Sequence, residues 1–101
     1  MKTSYIIYTK NSEKEIEDYI KQFMKDWEDD GDELIIVDDM STDNTVPIIV
    51  NLIGFYFEDE EHFKFYINTS KKGKTKSIKM AKKIATNRHK VIIGGNNDTS
   101  K

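Results

Sequence analysis

Four short apolar segments alternate with three stretches of helical periodicity along this chain, and that alternation constrains its fold more than any other feature. Residues 4–9 (SYIIYT), 33–37 (ELIIV), 63–67 (FKFYI) and 91–93 (VII) are rich in β-branched and aromatic residues and read as strands. The second is apolar without interruption after its first residue, as expected for a strand covered on both faces. Between the first two, Ile16, Tyr19, Ile20, Phe23, Met24 and Trp27 recur at helical spacing, which predicts a helix over residues 12–28 that buries Ile16, Ile20 and Phe23. Ser12 with Glu15 three residues later has the form of a capping box at its start. A second helix follows the polar loop 41–45; Pro47 is tolerable in its first turn, where amides have no intrahelical acceptor. The third, residues 74–87, is basic and carries Ile78, Ala81, Ile84 and Ala85 on one side.

The order β-α-β-α-β-α-β implies a parallel sheet joined by crossover helices. A doubly wound half-domain of this kind predicts strand order 3-2-1-4, with two helices on one face and the third on the other. Ligands of such sheets bind beyond the carboxyl ends of the strands, which directs attention to residues 9–11, 38–42, 68–74 and 94–98. At 101 residues the chain is read as one domain, 1–101.

Composition narrows the classes of partner. With 16 basic and 18 acidic side chains the net charge is -2, so no global field draws the chain to nucleic acid or to anionic membranes. The absence of cysteine excludes disulfides, thiolate metal sites and cysteine nucleophiles, and it sets the expectation of a cytoplasmic protein. The apolar stretch 46–57 contains Asn51 and Gly54 and falls short of the roughly 20 residues that span a bilayer, so membrane insertion is not expected. His62 and His89 lack metal-ligand spacing and are expected at the surface. The acidic run 58–61 reads as a solvated loop.

Chemistry concentrates at strand ends. Residues 37–45, VDDMSTDNT, place two carboxylates where they can accept hydrogen bonds from a base N–H or from ribose hydroxyls. The plainer alternative is that Asp38, Ser41 and Thr42 cap a helix and shape a turn. This motif resembles the large inverting family of GT-A glycosyltransferases (family 2-like), in which an apolar strand ends in paired aspartates, a small turn and Ser-Thr-Asp. Met40 stands where that family usually has glycine or another small residue. YTKNS at 8–12 sits where the family closes its first strand with a Pro-x-x-Asn type of turn, although the proline is absent here. The run 68–93 is similar to the family's Asn-x-Gly-Lys stretch and alanine-bearing helix.

The resemblance implies a Rossmann-like half-domain of the α/β class, corresponding to the N-terminal nucleotide-binding half of such an enzyme. It implies a nucleotide-sugar partner, a UDP-sugar by expectation. Asp39, supported by Asp38, is the expected contact to base or ribose, and Thr9 and Asn11 are expected beside the pyrimidine edge. Tyr8 either lies near the face of the base or packs as a strand residue. Lys71, Lys72 and Lys74 either meet the diphosphate as point charges or are solvated. The family's Asp-x-Asp-like motif, which holds a divalent cation, is represented by Gly94-Gly95-Asn96-Asn97-Asp98. One carboxylate and two neutral amides make a weak site for manganese or magnesium, with Asp98 as the candidate ligand. The acceptor half and its general base are missing, so the resemblance implies nucleotide-sugar binding and leaves transfer in question. The alternative is a non-catalytic nucleotide-binding or protein-interaction module.

Other uses of the same sheet fit less well. A receiver domain needs a phosphoacceptor aspartate after the third strand, where Asn68 stands, and a dinucleotide fold needs glycines in the first turn, where residues 9–12 have none. The strand at 91–93 is short, apolar and uncharged, so association through this edge, or through the sheet face covered by one helix, is expected to give a homodimer.

Overall fold

The computed structural model describes residues 2–27, 31–56 and 62–94. It contains β1 (Thr3–Thr9), α1 (Ile16–Asp26), β2 (Glu33–Asp38), α2 (Thr45–Tyr56), β3 (Phe63–Ile67), α3 (Gly73–Ile84) and β4 (His89–Ile93). The strands form one four-stranded sheet in the order β3-β2-β1-β4, parallel throughout, as the alternation predicts. Register pairs Ile6 with Ile35 and Ile92, and Thr9 with Asp38, which in turn pairs with Ile67.

The pleat sorts the strand residues between two cores. Tyr5, Ile7, Leu34, Ile36 and Ile93 pack with Ile16, Ile20 and Phe23 of α1 and Ile49 of α2. Ile6, Ile35 and Val37 point the other way and pack with Ala81 of α3. Every residue of β2 is buried, because a central strand between helices on both faces has no solvent side. Each fully buried Ile, Leu or Phe stabilises the fold by about 1.5–3 kcal/mol relative to an exposed one. Phe23 adds an edge-to-face contact with Tyr5, their ring centroids 5.1 Å apart.

Four details differ from the sequence expectations. The first helix begins at Ile16 rather than Ser12, because the carbonyl of Ser12 accepts from the amides of both Glu15 and Ile16 and closes a turn ahead of the helix. No capping box forms: the Ser12 hydroxyl is turned back to the main chain of Lys10, and Glu15 makes no side-chain cap. On α3 the fully buried residues are Ser77 and Ala81, while Ile78 is half-buried. A hydroxyl wins that place because it accepts a hydrogen bond from Asn68 there. His62 is half-buried, its ring 4.8 Å from that of Trp27, whereas His89 is exposed as expected. The run 58–61 lies outside the described residues.

Candidate functional site at the carboxyl end of the sheet

Two loops emerge side by side from the central strands and are stitched together by side chain to main chain bonds. Asn11 adopts a left-handed conformation (φ 50°), which its short amide tolerates. Its Oδ1 accepts from Thr42 N at 2.7 Å and from Asp43 N at 3.3 Å, and its own N–H donates to Ser41 Oγ at 2.8 Å. Ser12 N donates to Thr45 Oγ1, Glu13 N to Asp43 Oδ2, and Asn44 N to Glu13 Oε1. Asp43 Oδ1 also accepts from Thr45 N and so satisfies an amide at the start of α2. The Ser-Thr-Asp-Asn-Thr run is therefore a clamp that fixes the two loops against each other.

Asp38 belongs to that clamp. It is fully buried; Oδ1 accepts from Thr9 Oγ1 at 2.7 Å and Ser41 Oγ at 2.6 Å, and Oδ2 accepts from Ser41 N at 2.9 Å. Thr9 is equally buried, so both residues hold the floor beneath the loops. Main-chain bonds from Asp39 N to Thr9 O and from Asn68 N to Asp38 O continue the sheet pattern one residue beyond the strands.

Asp39 turns to the α3 side and is 1% exposed. Its Oδ1 accepts from Asn68 Nδ2 at 3.1 Å and Lys72 N at 3.0 Å. Its Oδ2 accepts from Tyr8 Oη at 2.9 Å and Gly73 N at 2.9 Å. Burial pushes this carboxyl up, but the Lys72 amide, Asn68, Tyr8 and the Gly73 amide together outweigh it and hold Asp39 down at about 2 against an ordinary 3.8. Two of the four donors are main-chain amides at the start of α3, where the helix dipole favours an anion. Asn68 also donates to Ser77 Oγ, which locks its amide toward Asp39.

The structure brings Tyr8, Thr9, Asn11, Asp38 and Asp39 together and adds Asn68 and Ser77, whose roles the sequence did not reveal. Lys71 and Lys72 are exposed at the mouth of the α3 turn and Lys74 is half-buried. Met40 occupies its glycine-like position with φ 59° and remains 40% exposed, which explains why a small residue suits that turn. Asp98 lies outside the described residues. Among the described residues there is no group of three or more His, Asp or Glu side chains that could hold a metal ion. A hollow lined by Lys2, Thr86, Asn87, Arg88 and His89 lies at the opposite, amino end of the sheet. Among the described residues no helix is long and apolar enough to cross a membrane.

Comparison with known proteins bears on the family and the fold. The family model described as glycosyl transferase family 2 matches residues 4–99. Among solved structures, residues 1–349 of TarS from S. aureus, in complexes with UDP and with UDP-GlcNAc, superpose with a TM-score of 0.75 at 29% identity, covering 91% of this chain and 26% of theirs. A mannosyltransferase from Pyrobaculum calidifontis, in complex with GDP-Man and Mn2+, gives a TM-score of 0.75 at 23% identity over 84% of this chain and 24% of its own. The chain thus spans about a quarter of the length of the structures it matches. No curated protein matches it in sequence.

Proposed function

Since the chain belongs to glycosyl transferase family 2, we propose that the carboxyl end of its sheet binds the nucleotide of a nucleotide sugar, with a UDP-sugar as the preferred class. The observation that carries this reading is Asp39: a buried, ionised acceptor held among neutral donors only, at the strand end where such sheets take ligands. In this reading Asp39 accepts from a base N–H or a ribose hydroxyl. Thr9 and Asp38 fix the floor, Asn11 holds the loop beside the base, and Lys72 and Lys74 meet the diphosphate. A manganese or magnesium ion, if one is used, depends on Asp98.

The reading stops at binding. A general base works best with a pKa near the operating pH and contributes about 100-fold to 10,000-fold. Asp39 is held at about 2, and Asp43 is also lowered: partial desolvation raises it, but the Thr45 hydroxyl and amide and the Glu13 amide outweigh that. Asp38 is enclosed by three donors. These observations favour the alternative of a nucleotide-binding or protein-interaction module without transfer activity of its own.

An amide-shift titration with UDP-GlcNAc, with and without manganese, tests the binding proposal. It predicts perturbations at Thr9, Asp39 and Lys72; none at millimolar ligand would overturn it. We also propose self-association as a twofold dimer, because Ile92 is 39% exposed on the outer strand β4. Sedimentation equilibrium decides this: the proposal expects a dimer that Ile92→Lys abolishes, and a monomer at several hundred micromolar, on the order of the concentrations at which weak edges pair, contradicts it.

A further inference from the structure

A carboxylate has two oxygens and about four lone-pair sites. Asp39 receives four donors: Asn68 Nδ2, Lys72 N, Tyr8 Oη and Gly73 N. Its capacity is filled from within the chain, and it is 1% exposed. A nucleotide therefore has no acceptor to use at Asp39 until one of these donors withdraws.

The four donors differ in how firmly they are held. Tyr8 belongs to β1, in the middle of the sheet. Asn68 is buried, bonded through its N–H to Asp38 O and through its side chain to Ser77. Lys72 and Gly73 sit in a different setting. Residues 69–73 are exposed, Lys72 makes no side-chain cap on α3, and Gly73 has φ 84°, a conformation open to glycine. Nothing lies within 4 Å of where a Gly73 Cβ would be, so beyond the bonds to Asp39 no side chain packs over that position of the turn.

We propose that the start of α3 is a latch: the Lys72 and Gly73 amides close on Asp39 in the free protein, and nucleotide binding at Asp39 requires their release. This deepens the nucleotide-binding reading given above and rests on it. Asp39 serves in the free state as an internal anion at the amino terminus of α3, and the incoming base N–H or ribose hydroxyl takes over a lone pair that a main-chain amide gives up. The ligand selects the open turn, so its apparent affinity is reduced by the fraction of molecules that are closed.

Amide hydrogen exchange with UDP as the probe tests the latch, because it gives a sign that simple stabilisation does not. Ligand binding ordinarily raises protection throughout a fold. The latch expects the Lys72 and Gly73 amides to exchange about tenfold or more faster at saturating UDP while the Asp39 and Asn68 amides slow down. Tyr8→Phe vacates one lone pair on Oδ2, so in that variant UDP should bind without speeding Lys72 and Gly73. If UDP binds the natural chain and both amides keep or gain protection, the latch is overturned and the nucleotide site stands. If no amide responds to UDP in either protein, both fall together.

Discussion

Each end of the sheet buries carboxylates, and Glu33 at one end and Asp39 at the other are held in opposite ways. At the amino end Glu33, 3% exposed, accepts from Ser4 Oγ at 2.5 Å, Thr86 N at 2.6 Å and Thr86 Oγ1 at 3.2 Å, and pairs with Lys64 Nζ at 3.0 Å. Asn87 N donates in turn to Ser4 Oγ, so this knot ties the segment after α3 to the starts of β1 and β2. Asp39 at the carboxyl end has neutral donors alone. The backbone differs as well. Among the described residues all four with positive φ, Asn11, Met40, Gly73 and Gly94, lie at the carboxyl end. At Gly94, with φ 71°, a Cβ would collide with the Tyr19 ring, so that turn also demands glycine. A carboxylate paired with a cation where the backbone is regular is a fastening; one held by neutral donors among left-handed turns is where a protein keeps the means to bind something else.

The largest effect separating the ends should come from Glu33→Ala. It leaves the Ser4 hydroxyl and the Thr86 amide without their acceptor and strips Lys64 of its ion pair, though Lys64 keeps Ile84 O and Thr86 Oγ1; unsatisfied buried partners cost about 1–3 kcal/mol each before relaxation. With Lys64 partly exposed and rehydrated, the net loss should be about 2–3 kcal/mol, lowering the thermal midpoint by about 10 °C or more. Nucleotide-induced shifts at Asp39 should survive in the fraction that remains folded. A midpoint unchanged within about 2 °C would show that the amino-end knot is not a fastening.

An intermediate effect is expected from acid. Asp39 has a folded pKa of about 2, below its unfolded value near 3.8, so its contribution to stability is fully present above the unfolded value and is lost as pH falls toward 2. Glu33 is lowered from 4.5 as well: burial raises it, but Ser4, the Thr86 amide and Lys64 outweigh that, so it loses its contribution in the same direction. Urea midpoints measured from pH 5 down to 2, a span of about three units chosen to bracket these groups, should fall for the natural chain and fall less steeply for Asp39→Asn. Equal slopes would mean that the four donors do not favour the ionised form.

The order of elements, the strand order and the three buried residues of α1 were all legible, because hydrophobic period and turn chemistry determine them locally. Asp38 and Asp39 were legible as a motif. Their full sets of partners were not: one is enclosed by Thr9 and Ser41, the other gripped by amides of Lys72 and Gly73, and main-chain donors carry no signature in residue type. Glu33 read only as the first letter of an apolar run, since its partners Thr86 and Lys64 are remote in sequence. Ser77 was hidden behind Ile78 because a one-residue shift on a helix face depends on what the facing strand offers.

The smallest expected effect lies in the loop itself. Met40 at φ 59° bears a left-handed conformation that costs an L residue roughly 1–2 kcal/mol, while glycine adds unfolded-state entropy of about 0.5–1 kcal/mol. Met40→Gly should therefore raise stability by about 0.5 kcal/mol, read as a higher urea midpoint with an unchanged slope. A loss of stability would show that Met40 contributes packing at the site that outweighs its strain.

The central claim is that Asp39, the buried carboxylate facing the start of α3, is the one that meets a nucleotide. Titration calorimetry of UDP against the natural chain and Asp39→Asn, with circular dichroism confirming that both are folded, tests it most directly. Replacing the charged acceptor removes a hydrogen bond worth about 1.5–3 kcal/mol, so affinity should fall by roughly 10-fold to 100-fold. Equal affinity of the two proteins for UDP would contradict the account.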